Sequence, residues 1–512
     1  MPRRLRPRGI ITVALLSSAL GAPAIAQELT LTRVSWAVSP DGAEITAFDP
    51  ETSRLFTTGD TGISVFNFEH DGSLSLARRI DLSGVFGRTL GVSSIAVDPL
   101  ARGFGLAAVI PADNTSRRGK IIAFSVSTGE VIASFESGFH SDMVCFTRDG
   151  RYALVADEGE ATPESDAPGG ITVIDLTAVT SASDLLDARP MTLDFPRDLD
   201  PLVSLDKVRP TFEGSGELIL GIEPEYIAPD EDGAWVALQE NNALARFDFA
   251  TMRFTDIRSL GVIEQTIDAS DRDGAALVDD TIATLPMPDS IGSYTVDGRR
   301  YIVTVNEGET RGEEMRFARA VERGLIDPAA LAALDAAHAG DAASESALGR
   351  LEISTIDGDI DGDGDIDRLH AFGSRSFSII DIETGVRVFD SGSEFERITA
   401  ERQPLLFNAE SDPGSFDGRS DNRGPEPEGL AIATIEKRII AFIGLERAGA
   451  IVAYDITVPT ETRIIAFVST FGEEGHGIAP EGLCFVERSG VRYLVVSSES
   501  SRTVEVFRSD SP

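Results

Sequence analysis

Six carboxylates recur at one place in a repeat that runs through the chain. Glu44, Asp142, Glu225, Asp289, Glu428 and Glu481 each head a short apolar run, as in EITAFDP, DMVCF, EYIAPDEDG, DSIGSYTVDG, EGLAIATIE and EGLCFVERSG. A seventh copy, SIAVDP, has Ser94 at that place. One such acid ordinarily caps a turn. Acids held close together instead repel, and only protons, cations or basic partners relieve them, so six in register point to a shared cation or ligand site. Pro224, Pro288, Pro427 and Pro480 directly precede four of these acids and fix the backbone leading into them. A second series, Glu158, Glu240, Glu307, Glu446 and Glu499, follows the next apolar run and reads mainly as acceptors between neighbouring strands. Asp175, Asp248, Asp381 and Asp455 read as turn residues.

The densest acid run is Asp357, Asp359, Asp361, Asp363, Asp365 and Asp367, with Gly358, Gly362 and Gly364 between them. Alternating carboxylates with glycine at the sharp turn are how flexible, oxygen-rich Ca²⁺ loops are made. Counting from Asp359 puts Gly364 sixth and His370 twelfth, where an EF-hand has Glu, so a looser Ca²⁺ loop is expected. Ca²⁺ is the expected ion, with another divalent metal as the alternative. HExxH, Walker A, GxSxG, CxxC and dinucleotide fingerprints are missing, and no catalytic residue is assigned. His140 and His476 stand a few residues before ring acids, where a metal or general-acid role is open to them, although a lone loop histidine is more often simply exposed. Cys145 and Cys484 take equivalent places in copies three and seven, which are not neighbours in a ring of seven, so both are expected to be free thiols.

The elements that position these acids follow from the repeat. The markers Glu44, Ser94 and Asp142, and again Glu428 and Glu481, fall about 50 residues apart, the length of one propeller blade. Each copy holds three or four short strands that cannot bury both faces alone, so stacking around an axis is the natural solution. The spacing predicts an all-β, seven-bladed β-propeller forming a single domain over 27–512, with insertions at about 177–221 and 307–376. The second insertion interrupts blade five and is Ala-, Glu- and Arg-rich over 313–348, which predicts helices. The stretch 29–38 has no blade of its own and is expected to close the ring as the fourth strand of blade seven.

Composition excludes several classes. With 84 Asp+Glu against 45 Lys+Arg, the net charge of −39 disfavours nucleic acid and anionic membranes and favours divalent cations and basic ligands. Arg3, Arg4, Arg6 and Arg8, an apolar stretch over 10–20, and Ala24-Ile25-Ala26 before Gln27 read as a secretory signal over 1–26. No later apolar run is long enough for a transmembrane segment. Export to the periplasm or the extracellular space is therefore expected.

The strings HSDMVCFTRDGRYALVADEGE, IEPEYIAPDEDGAWVALQENNALARFDF, MPDSIGSYTVDGRRYIVTVNEGETR, DIDGDGDIDRLHAFGSRSFSIID and GPEPEGLAI resemble the choice-of-anchor I family of secreted bacterial propellers. That family is also similar to mesenchyme-specific cell-surface glycoproteins and, more distantly, to phytase-like propellers. The resemblance implies an exported seven-bladed propeller; some of its relatives are labelled alkaline phosphatase-like, and it supplies no catalytic residue. Two functions remain open. One is a Ca²⁺-binding module that recognises an unknown surface ligand through the acidic mouth. The other is a metal-dependent phosphoesterase, in which ions on the ring polarise water while Arg311 and Arg423 contact the substrate phosphate.

Overall fold

The computed structural model describes residues 28–159, 167–195, 197–205, 208–212, 218–219, 221–472 and 474–510. The leader read over 1–26 lies outside them, as do parts of the 177–221 insertion. Seven four-stranded antiparallel sheets hold most of the described strands. Their first strands are Thr46–Asp49, Thr89–Val97, Ser141–Phe146, Pro224–Pro229, Ile291–Val296, Pro427–Ile435 and Pro480–Arg488. The sheets are numbered here one to seven in that order.

Burial along the strands explains the stacking. Second and third strands such as YALVAD (Tyr152–Asp157), GAWVAL (Gly233–Leu238) and AIVAYD (Ala450–Asp455) are buried throughout. A strand buried on both faces needs a neighbour on each side. The core accordingly divides into clusters, each shared by two successive sheets. Phe56 of sheet one packs with Ala107 of sheet two, Leu154 of sheet three with Val236 of sheet four, and Trp235 of sheet four with Ile302 of sheet five. Leu55 of sheet one joins Val495 of sheet seven, so the order returns on itself in the arrangement of a β-propeller. The closing strand is Thr30–Val38, which pairs with Thr503–Asp510 from Thr30↔Asp510 to Val38↔Thr503. The last sheet thus joins both ends of the described chain, as expected for 29–38.

In sheet five, strand Arg299–Asn306 pairs directly with Ser376–Asp381, although about 70 residues lie between them. That excursion holds helices α1 (Phe317–Arg323) and α2 (Pro328–Ala337). Asp327 caps α2 by accepting the amides of Ala329 at 2.9 Å and Ala330 at 2.7 Å, with Pro328 in the first turn. Phe317, Ala320, Leu348, Leu351 and Ile353 form a small separate core with Ile267 and Ile282. The latter two belong to the hairpin Ile263–Ile267 and Asp280–Leu285, an excursion between sheets four and five that the marker spacing did not single out. A third helix, α3 (Glu394–Arg402), follows sheet five. Cys145 and Cys484 are free, and burial pushes their thiols up to about 12 and about 11.

Closure of the ring makes Leu31 a test of the seam. It is buried against Ile435 and Phe507. Leu31→Ala is expected to cost about 2–5 kcal/mol in chemical denaturation. Leu76→Ala, on the exposed outer strand of sheet one, is expected to stay within about 0.5 kcal/mol of wild type. Equal effects of the two substitutions would contradict a packed seam.

Candidate functional site

The six ring acids occupy the heads of the innermost strands, and the backbone is bent to put them there. Asp142, Glu225, Glu428 and Glu481 lie within their first strands, at shifts of register between Ser141 and Met143, Pro224 and Ile227, Pro427 and Leu430, and Pro480 and Leu483. Such bulges re-aim a side chain out of the ordinary alternation. Two residues before an acid, His140, Met287, Glu426 and Ala479 hold φ of 45°, 49°, 45° and 61°. Left-handed backbone at a residue other than glycine is held only where the surroundings over-determine it. Adjacent strand heads also meet closely. A Cβ on Gly429 would fall 2.1 Å from the Glu481 carbonyl oxygen, and one on Gly482 would fall 2.4 Å from that of Glu44. The Glu-Gly pairs of sheets six and seven therefore allow one strand head to approach the next.

These strand heads enclose a pocket of about 390 Å³ lined by Glu44, Asp142, Glu225, Asp289, Glu428 and Glu481. Ser94 takes the seventh place, and Glu307 and Glu309 also reach the lining. Glu44, Glu225, Asp289, Glu428 and Glu481 form no ion pair among the described residues. Burial pushes the carboxyl of each of these five well above the usual range, and neighbouring acids add to the effect. After burial, Glu44 feels Asp142 most, Glu225 feels Glu158, Asp289 feels Glu307, Glu428 feels Glu446, and Glu481 feels Glu44.

Glu158, Glu240 and Glu307 of the second glutamate series lie beside the ring acids, which a reading as inter-strand acceptors does not provide for. Ligand atoms of Asp289, Glu307 and Glu428 lie within 4.8 Å of one another, as do those of Glu158, Glu225 and Glu240, and those of His140, Asp142 and Glu158. Each group combines a ring acid with a member of the second series. Glu240 is buried, and its Oε2 has no hydrogen-bond partner. Glu428 Oε2 is likewise buried without one. Buried oxygens of this kind are costly unless something else satisfies them, and oxygen-rich clusters suit hard divalent cations. The signal was legible as a recurrence, Glu after five of the seven second strands, but the convergence of two series depends on the curvature of the ring. His140 Nδ1 lies 3.2 Å from Glu158 Oε2, so this histidine joins the cluster, whereas His476 stacks on Trp36 at 4.5 Å.

The two arginines read as phosphate contacts are both engaged by the chain. Arg311 pairs with Glu223. Arg423 donates to Glu309 Oε2 at 2.6 Å, to the Gly308 carbonyl at 2.6 Å and to Glu307 Oε1 at 3.3 Å. The aspartate loop does not gather its six carboxylates at one point. Asp357 accepts from Arg209 at 2.9 Å and Ser354 at 2.6 Å, and Asp359 accepts the amides of Gly362 and Gly364. Asp361 accepts the Asp363 amide, and Asp363 accepts the Asp365 amide. Asp365 and Asp367 come together with Asp327, the cap of α2, which lies outside the run.

A family model described as Choice-of-anchor I domain matches residues 44–459. Gigasin-3a of Magallana gigas is 40% identical over 115 residues, covering 22% of this chain and 40% of that protein. A mesenchyme-specific cell surface glycoprotein of Strongylocentrotus purpuratus is 30% identical over 296 residues, covering 50% of this chain and 37% of that protein. The chain thus spans two fifths or less of the length of these curated relatives. Among solved structures, a hydrazine synthase chain of Kuenenia stuttgartiensis overlays 93% of this chain and 98% of its own at TM-score 0.48 and 13% identity. The Cps50 (Swd1) β-propeller domain of Myceliophteria thermophila overlays 93% and 99% at TM-score 0.46 and 8% identity.

The raised carboxyl values carry a sign. A carboxylate with a higher pKa folded than unfolded stabilises the fold fully below its unfolded value, and this contribution is lost as pH rises through the folded one. For Glu307, where burial outweighs Arg423, that window runs from 4.5 to about 7. In chelator, the Tm of wild type is expected to fall more steeply across this window than that of Glu307→Gln. Parallel curves would contradict the assignment.

Proposed function

The chain belongs to the choice-of-anchor I family, and from that premise we propose that it is an exported, Ca²⁺-binding interaction module of the cell surface or periplasm. In this reading the seven sheets are the blades of a seven-bladed propeller, and the fifth blade carries the helical insertion. The observation that carries it is the convergence of six strand-head carboxylates, with Glu158, Glu240 and Glu307 of the second series grouped beside them, around one pocket. At neutral pH these groups either hold protons against their ordinary chemistry or share cations. Cations on Asp289, Glu307 and Glu428, and on Glu158, Glu225 and Glu240, turn a repulsive mouth into one that accepts oxygen donors from a partner. Ca²⁺ suits this role because its coordination number is high and flexible, which leaves positions for a ligand's oxygens.

The sea-urchin relative is by name a cell surface glycoprotein, which agrees with a surface role. The engagement of Arg311 by Glu223 and of Arg423 by Glu307 and Glu309 favours binding over phosphoester hydrolysis, because each guanidinium is already paired with acids of the chain.

Calorimetric titration of chelator-stripped protein tests the reading. Ca²⁺ is expected to bind and, at a hundredfold excess over Kd, to stabilise the fold by about 2.7 kcal/mol per site. Glu428→Gln is expected to weaken binding at the mouth at least tenfold, and wild type is expected to turn over no phosphomonoester. A fold indifferent to both Ca²⁺ and chelator would sink the proposal. Metal-dependent turnover abolished by Glu428→Gln would replace it with hydrolysis.

A further inference from the structure

A second set of acids lies away from the pocket, between the hairpin Ile263–Ile267 and Asp280–Leu285 and the 391–426 segment that links sheets five and six. Asp268, Glu396 and Asp417 are at most 2% exposed, and Thr399 and Asn408 are wholly buried. Hydrogen bonds tie Asp268, Glu396, Asn408 and Asp417 into one network, and Thr399 stands one turn along α3 from Glu396. Asn408 Nδ2 donates to Glu396 Oε1 at 2.9 Å and to Ser420 Oγ at 2.8 Å, and Ser420 Oγ donates to Asp417 Oδ1 at 2.6 Å. The Asp268 amide donates to Glu396 Oε1 at 3.3 Å. Arg375 Nη1 donates to Glu396 Oε1 at 2.7 Å and to the Asp268 carbonyl at 2.8 Å.

Glu396 and Asp417 each have only one carboxylate oxygen engaged. Glu396 Oε1 and Asp417 Oδ1 are satisfied, whereas Glu396 Oε2, Asp417 Oδ2, Asn408 Oδ1 and Thr399 Oγ1 are buried with no hydrogen-bond partner. Turning the Asn408 amide over would face its oxygen to Glu396 Oε1, so the network itself fixes Nδ2 toward Glu396 and leaves Oδ1 as an unused acceptor. Four orphaned oxygens on these buried side chains are not what a folded core ordinarily retains. The charges are unbalanced as well. With all three carboxylates ionised, Arg375 offsets one and two negative charges remain, the complement of one divalent cation. Nearby Asp271 is paired separately with Arg350 and Arg272.

We propose that Glu396, Thr399, Asn408 and Asp417, with Asp268 beside them, bind one buried Ca²⁺ ion, separate from the mouth. The donors are all hard oxygens, and they mix carboxylate, amide carbonyl and hydroxyl as Ca²⁺ sites do; no nitrogen or sulfur is offered to a softer metal. The ion joins α3 and the loop after it to the hairpin before sheet five. The same loop carries Arg419, Arg423 and Glu426 to the rim of the pocket, where Arg423 meets Glu307. Its role is therefore to hold the rim in place, and it stands whether or not the mouth itself binds cations.

Ca²⁺ bound to the purified exported protein is counted by equilibrium dialysis with metal analysis in wild type, Asp417→Asn and Glu428→Gln. Amide hydrogen exchange of wild type is followed in Ca²⁺ and in chelator. Asp417→Asn is expected to weaken one Ca²⁺ equivalent at least tenfold, and Glu428→Gln to leave that equivalent intact. In wild type, chelator is expected to speed exchange across 394–422 at least tenfold. Unchanged Ca²⁺ binding in Asp417→Asn, or exchange across 394–422 indifferent to chelator, overturns the proposal. If Asp417→Asn does not fold, the wild-type exchange decides alone. Loss of Ca²⁺ dependence at the mouth with this equivalent retained would count against the proposed function only.

Discussion

Carboxylates that repel one another ordinarily move apart or turn toward water, and at the centre of this ring neither escape is open. Two unit charges 4 Å apart repel by about 4 kcal/mol at an effective dielectric of 20. The strand heads that carry them are pinned from three directions. Clusters of apolar side chains lock each sheet to the next all the way round. Left-handed residues and bulges set the angle of the acids. Gly429 and Gly482 let neighbouring heads close to contact. Packing energy spread over the whole ring of core clusters thus holds a local arrangement that electrostatics alone would disperse.

The chain's own cations are spent on the rim. Arg423 engages Glu307, Glu309 and Glu426, while Arg447 holds Glu426 at 2.6 Å and Glu446 at 3.1 Å. Arg209 reaches between Glu313, Asp357 and the Glu240 carbonyl, and so ties the aspartate loop to the edge of the site. No arginine or lysine among the described residues pairs with Glu44, Glu225, Asp289, Glu428 or Glu481. A protein that merely needed its acids neutralised would have placed basic residues there. Those five acids without an ion pair, beside Glu307, Glu309, Glu426 and Glu446 with one, are the pattern expected of the proposed cation site.

Much of this was legible in the amino-acid sequence because a repeated unit repeats its geometry. Alternating apolar runs placed the strands, and the position of an acid before each run placed the ring. The surplus stretch at 29–38 had nowhere to pair except the last sheet. What escaped notice depends on contacts between units distant in sequence. Glu240 and Glu307 look like acceptors when each is read against its own strands; curvature brings them beside acids of the ring. Arg311 and Arg423 look available to a phosphate until Glu223 and Glu309 are seen against them. The buried group of Asp268, Glu396, Asn408 and Asp417 spans about 150 residues of chain and has no local motif at all. The aspartate loop shows the opposite case, a strong local motif whose members divide between backbone amides, Arg209 and Asp327.

The central claim, that the mouth is completed by divalent cations, is tested most directly by a crystal structure of the protein grown in Ca²⁺, with anomalous data collected after exchange into Mn²⁺. The account predicts a peak among Asp289, Glu307 and Glu428, with their carboxylate oxygens at metal-ligand distance. Carboxyl groups paired with one another through shared protons, with water in the pocket and no anomalous signal, would contradict it.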